Sequence, residues 1–149
     1  MAILKKGDKA PKFELRDQFG EKVNSDDLSG KVLLSFHPLA FTSVCTDQMR
    51  ELDNRYDELK ERGITPLGIS VDAHPSKGVW SLSMGNSKLR MLSDFNPIGQ
   101  LAKDCGIFVE KAGISERANI LIENGVVIYS RLYETGEIPS LDHVLEGIE

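Results

Sequence analysis

The chain has 149 residues, with 18 Lys+Arg against 23 Asp+Glu for a formal net charge of -5, 40% hydrophobic residues and two cysteines. That length fits one domain able to bury about two-thirds of its unfolded surface, and the composition is that of a folded globular protein and not a disordered one. The acidic balance without a basic cluster excludes nucleic-acid binding, and no apolar run approaches the ~18–20 residues of a membrane-spanning helix.

The first residues carry Lys5, Lys6 and Asp8 where a secretory signal needs its apolar core, so a cytoplasmic protein is expected. Residues 12–24 read as a short hairpin turning near Gln18–Gly20. Lys31–Phe36 (Lys-Val-Leu-Leu-Ser-Phe) is apolar enough for a central strand, and Pro38 ends it because proline has no N–H for the ladder. From Thr42 to Arg62 the period changes. Cys45, Met49, Leu52, Tyr56 and Leu59 recur at +4, +3, +4, +3, one face of an amphipathic helix. Glu51–Arg55 and Glu58–Arg62 pair on the opposite face, Thr42 or Ser43 is the N-cap, and Gly63 is the stop. Ile64–Val71 returns as a second strand, so strand, helix and strand form a βαβ unit with parallel strands.

Further on, Pro75–Met84 is expected as a helix opened by Asp72 and Pro75, Leu89–Leu92 as a strand and Ile98–Asp104 as a short helix. Ala118–Ile122 and Val126–Leu132 flank Asn124-Gly125, the strongest two-residue hairpin signal. Pro139–Ile148 closes the chain as an amphipathic helix. The sum is one α/β domain over residues 1–149, with a central mixed β-sheet flanked by helices on both faces and an N-terminal β-hairpin.

Only Cys45 and Cys105 are present, so there is no disulfide framework and no Cys-x-x-Cys pair. A lone cysteine is ordinarily a small buried hydrophobe. Cys45 differs by position, because it falls in the first turn of the long helix, just past the C-terminal end of a central strand. Open α/β sheets react at that edge, and unpaired helix N–H groups with the positive dipole end stabilise an anion there. A thiolate nucleophile is thus favoured at Cys45. Since Cys45 also belongs to the apolar stripe, it is expected at the bottom of a pocket.

The segment Pro38-Leu-Ala-Phe-Thr42-Ser-Val-Cys45 sets Pro, Thr and Cys at the spacing Pro-x-x-x-Thr-x-x-Cys, directly after the strand. To it are added Gly7-Asp8-Lys9-Ala10-Pro11-Lys12-Phe13, the Gly-Ile-Ser-Val-Asp run at 68–72 and Arg117 ahead of Ala-Asn-Ile-Leu-Ile-Glu-Asn-Gly. On these residues the chain resembles the peroxiredoxins over nearly its whole length. Phe-His-Pro-Leu-Ala-Phe-Thr and Leu-Ser-Asp-Phe-Asn-Pro at 92–97 are most similar to the bacterial one-Cys group of the alkyl hydroperoxide reductase E type.

The resemblance implies a thioredoxin-like fold and a thiol-dependent peroxidase that reduces hydrogen peroxide and organic hydroperoxides without a cofactor. Cys45 would attack the peroxide oxygen and become a sulfenic acid, to be reduced by an external thiol such as thioredoxin, glutaredoxin or a low-molecular thiol. Thr42 would orient thiolate and peroxide, Pro38 would shield the sulfur from water, and Arg117 would be the fixed cation. A homodimer with contacts near the active-site loops is also implied.

Some residues depart from the family pattern. Gln48 stands where the family often has Glu, and His37 stands where an aromatic is common and reads as a packed neutral ring. A C-terminal arm with a resolving cysteine is not expected. Cys105 matches no resolving position; it reads as structural, with a resolving role as the alternative.

Other chemistries fit poorly. A phosphatase loop of the Cys-x5-Arg type fails because Glu51 occupies the arginine position. His37, His74 and His143 have no diagnostic spacing to Cys45 for a Cys–His hydrolase, and they form no zinc-ligand pair with the cysteines. The main rival is a non-enzymatic thioredoxin-fold binding module or a peroxide-sensing thiol protein.

Overall fold

Residues 2–148 are described by the computed structural model of the protein. They form β1 (Glu14–Asp17), β2 (Lys22–Asn24), β3 (Lys31–Phe36), α1 (Ser43–Asn54), α2 (Tyr56–Glu61), β4 (Ile64–Ser70), α3 (His74–Met84) and β5 (Arg90–Ser93). There follow α4 (Gln100–Asp104), β6 (Phe108–Val109), β7 (Ile114–Ser115), β8 (Arg117–Glu123), β9 (Val126–Tyr133) and α5 (Leu141–Gly147). The main sheet runs β2-β1-β5-β4-β3-β8-β9. β3, β4 and β5 are parallel neighbours, and β1, β2, β8 and β9 are antiparallel to theirs, which gives the expected mixed sheet. Met1 and Glu149, the ends of the expected domain, lie outside the described residues. Among the described residues no helix is long and apolar enough to cross a membrane.

The period of two along each strand divides the molecule into two cores. Val32, Leu34 and Phe36 of β3, with Ala118, Ile120 and Ile122 of β8, face one core closed by Leu101 and Ala102 of α4. Leu33 and Leu121 face the other, which Met49 and Leu52 of α1, Leu59 of α2, Trp80 of α3 and Val144 of α5 complete. The alternate residues Ser35, Arg117 and Asn119 fall on this second face. A polar cluster is thereby set beside the start of α1.

The hairpin at Asn124-Gly125 forms as expected, with φ of 53° and 76° at its two turn residues, the pair of left-handed conformations that a two-residue turn requires. The helix expected from Thr42 to Arg62 is instead interrupted at Arg55, whose φ of -98° and ψ of 12° leave the helical region. Its apolar stripe repeats every 3.5 residues, so an unbroken helix of 3.6 drifts by ~20° per heptad away from the sheet, and the break returns Leu59 to the core. The Arg55 guanidinium holds the junction, 2.7 Å from Glu58, 3.1 Å from Asp142 at the start of α5 and 3.7 Å from Glu51.

Other boundaries move for local reasons. Helix α3 opens at Ala73 and not at Asp72, because the Asp72 carboxylate is engaged by the Ala40 N–H at 2.8 Å and the Ser70 hydroxyl at 2.6 Å. Helix α4 starts two residues late, after Gly99 at φ 68°, where an added Cβ would run into the Phe108 ring. Helix α5 begins at Leu141, since the Ser140 hydroxyl accepts the His143 N–H and fixes the cap there. The small β6–β7 ladder was not expected; strands of two residues carry no readable period.

Candidate active site

The segment leaving β3 crosses the sheet edge as His37-Pro38-Leu39-Ala40-Phe41 and enters α1 at Thr42, its N-cap. Phe41 makes the turn with φ 68°, a conformation uncommon for a residue with a Cβ and found where surrounding structure holds it. The Ala40 N–H bond to Asp72 pins this loop to the end of β4. Cys45 is the third residue of α1 and is fully buried. No side-chain oxygen caps the first turn, so the helix dipole there is not answered by a local acceptor.

Arg117 begins β8, and strand alternation turns it toward α1. Its Nη1 lies 3.2 Å from Cys45 Sγ and 2.6 Å from Gln48 Oε1, while Nη2 donates to the Thr135 carbonyl at 3.0 Å. Three anchors hold the guanidinium, and its buried Nε has no partner among the described residues. The Gln48 amide donates through Nε2 to Ser35 Oγ at 2.8 Å and to the Phe36 carbonyl at 3.2 Å. Ser35 Oγ in turn donates to Asn119 Oδ1 at 2.7 Å. This accounts for glutamine at position 48: a carboxylate would still accept from Arg117 but would set oxygen against the Phe36 carbonyl.

Pro38, Arg117, Tyr133 and Thr135 line a cleft of about 670 Å³. Thr42 is placed as expected at the helix cap, but its hydroxyl donates to the Leu39 carbonyl at 2.8 Å and is not directed at Sγ. Behind the loop, the His37 ring is fully buried, as a packed neutral imidazole should be. Burial first, and then the neighbouring Lys77 charge, hold its pKa well below the usual histidine range. Lys77 Nζ lies 3.0 Å from His37 Nε2, and Trp80 packs 5.3 Å from the same ring. Trp80 donates its indole N–H to Thr46 Oγ1 at 3.2 Å, one residue past Cys45.

Sequence reasoning missed Lys77, Ser35 and Asn119. A lysine ordinarily reads as solvated, yet Lys77 stands at i, i+3 and i+4 with Trp80 and Ser81, the buried stripe of α3. That spacing was the available signal. Cys105 is not brought to the site. It packs in the α4 core while Cys45 belongs to the core on the opposite face of the sheet. Burial, followed by the charges of Asp104 and Asp94, pushes the Cys105 thiol up to about 12.

Comparison with known proteins gives a consistent result. The family model described as the AhpC/TSA family matches residues 6–130. Alkyl hydroperoxide reductase E of Mycobacterium tuberculosis strain H37Rv is 33% identical over 139 residues, covering 91% of this chain and 90% of that one. Peroxiredoxin Bcp of Escherichia coli K12 is 53% identical over 73 residues, or 48% of this chain and 47% of that one. The reduced 2-Cys peroxiredoxin of Plasmodium vivax superposes with a TM-score of 0.84 at 30% identity, covering 95% of this chain and 79% of that one.

Proposed function

The chain belongs to the AhpC/TSA family of peroxiredoxins and is a thiol-dependent peroxidase, and from that premise we propose that Cys45 is its peroxidatic nucleophile, with Arg117 as the cation that serves it. The observation that carries this reading is the 3.2 Å approach of Arg117 Nη1 to Cys45 Sγ at the uncapped start of α1. The Cys45 thiolate attacks the terminal peroxide oxygen, the O–O bond breaks, and with one proton the products are a Cys45 sulfenic acid and water or an alcohol. Arg117 stabilises the charge that moves from sulfur to the leaving oxygen. Pro38 covers the approach, and Thr42 orients the peroxide once its hydroxyl turns from the Leu39 carbonyl. Carboxylates of Glu116, Glu134 and Glu137 along the cleft favour uncharged hydroperoxides over anionic ones.

With Cys105 on the far side of the sheet, the sulfenic acid is reduced by a thiol from outside the chain: a first thiol forms a mixed disulfide and releases water, and a second regenerates Cys45. Intact mass after one equivalent of hydrogen peroxide tests this. One added oxygen in the wild type and in Cys105→Ser, and none in Cys45→Ser, is expected. Loss of two hydrogens, abolished by either substitution, would make Cys105 the resolving residue.

The same reading includes a homodimer in the cytoplasm. Leu39 and Phe41 on the active-site loop and Val79 and Leu82 on α3 are exposed, the last by 82%, and such apolar side chains gain from burial in a partner. Two unpaired cysteines suit a compartment that keeps thiols reduced. Sedimentation at micromolar concentration should give a dimer, and a monomer there would remove that part of the assignment.

A further inference from the structure

Lys77 has no role in the reaction as described, yet it is a lysine placed wholly inside the fold. Its side chain is fully buried, as is His37, and its one hydrogen-bond partner among the described residues is His37 Nε2 at 3.0 Å. No carboxylate forms an ion pair with it within 4.0 Å among those residues. The charged groups that face it are Asp72 beyond β4, Cys45 on α1 and Asp94 beyond β5, while Arg117 and Lys77 itself face His37. Burial lowers the Lys77 pKa to about 7, with Asp72, Cys45 and Asp94 opposing that fall. His37 is joined through Pro38 to the loop that ends in Cys45, and a hydrogen bond with the Ser35 backbone favours a proton on its ring.

We propose that Lys77, bonded to His37, is a positioning residue for peroxide reduction, holding beneath the active-site loop the proton that the Cys45 thiol gives up. With Cys45 as a thiol and Lys77 as an amine, the buried site is neutral at both groups. When the thiolate forms and Lys77 becomes an ammonium, one proton has moved and the net charge of the pair is unchanged. A buried site resists a change in net charge far more than a rearrangement of charge within it. The ammonium then complements Arg117, which is committed to Gln48 and Thr135 as well as to sulfur. Forming the sulfenic acid and water or an alcohol consumes one proton, and the pair holds one. His37 fixes Lys77 Nζ by accepting from it, so its ring must carry hydrogen on Nδ1.

The proposal rests on Cys45 being the nucleophile, and it is tested by a measurement that needs no turnover. The ε-carbon signals of the lysines are followed against pH by ¹³C NMR in the reduced full-length protein. Lys77 is assigned by its loss in Lys77→Met and, independently, by Overhauser contacts to the His37 and Trp80 rings. Lys77 is expected to titrate near neutrality, far from the other lysines. In Cys45→Ser its midpoint should fall by about one pH unit, because no thiolate remains to hold the proton on Nζ. Stopped-flow peroxide consumption supplies the second arm. Lys77→Met should react about tenfold more slowly at neutral pH and show a changed pH–rate profile, as expected when one nearby cation is lost. A Lys77 that titrates with the surface lysines overturns the proposal, as does a midpoint indifferent to Cys45→Ser or a Lys77→Met variant with the wild-type profile. The Cys45→Ser arm stands even if Lys77→Met does not fold. Failure of the peroxidase assignment would appear separately, as wild-type protein that leaves peroxide unconsumed.

Discussion

Cys45→Ser is expected to lower the second-order rate constant for peroxide reduction by on the order of 10⁴-fold or more, since removal of a nucleophile leaves only binding and electrostatics. The substitution changes one atom of a fully buried side chain, and serine keeps an acceptor for Arg117 Nη1. The fold should therefore persist while the chemistry stops. A hydroxyl at this position stays protonated at neutral pH and has neither the charge nor the polarisability of a thiolate. Stopped-flow mixing with hydrogen peroxide, together with a thermal melt, separates the two effects. Substantial activity in a folded Cys45→Ser variant would move the nucleophile away from the helix start and leave Cys105 as the only other thiol.

Arg117→Met should reduce the same constant by about 10²–10³-fold, the usual consequence of losing one fixed donor to a developing charge. Methionine retains most of the apolar volume, so the loss reports the guanidinium and not a cavity. Arg117→Lys should recover little, because one ammonium cannot reach Cys45 Sγ, Gln48 Oε1 and the Thr135 carbonyl at once. Arg117→Met also strips Gln48 Oε1 and the Thr135 carbonyl of their donor, and a melting curve should show a destabilisation of about 1–3 kcal/mol. A wild-type rate in folded Arg117→Met would mean that the helix N-terminus serves the sulfur without it.

Much of this arrangement was legible because it rests on local rules. The bounds of Lys31–Phe36 follow from a short apolar run ended by a proline, and the Asn124-Gly125 turn follows from backbone conformations that few residue pairs adopt. The motif residues Pro38, Thr42, Cys45 and Arg117 could be named from spacing and resemblance; Pro38 and Arg117 line one cleft, and Arg117 reaches the Cys45 sulfur. What escaped depends on packing between distant segments. The break at Arg55 is set by Asp142, far along the chain, and by the phase of the sheet beneath. The hydroxyl of Thr42 chose a carbonyl within its own loop, which a motif cannot indicate. Lys77 was hidden by its chemistry, since nothing local in Ser-Lys-Gly says that His37 waits across the helix–sheet gap.

The position of Trp80 has a practical consequence. It is the one tryptophan in the chain, its ring lies 5.3 Å from His37, and its N–H is held by the residue after Cys45. Indole emission responds to nearby charge and to movement of its hydrogen-bonded partner. The unlabelled protein thus carries its own optical clock, and each oxidation or rescue of the sulfur should register as a change in fluorescence that can be timed in milliseconds.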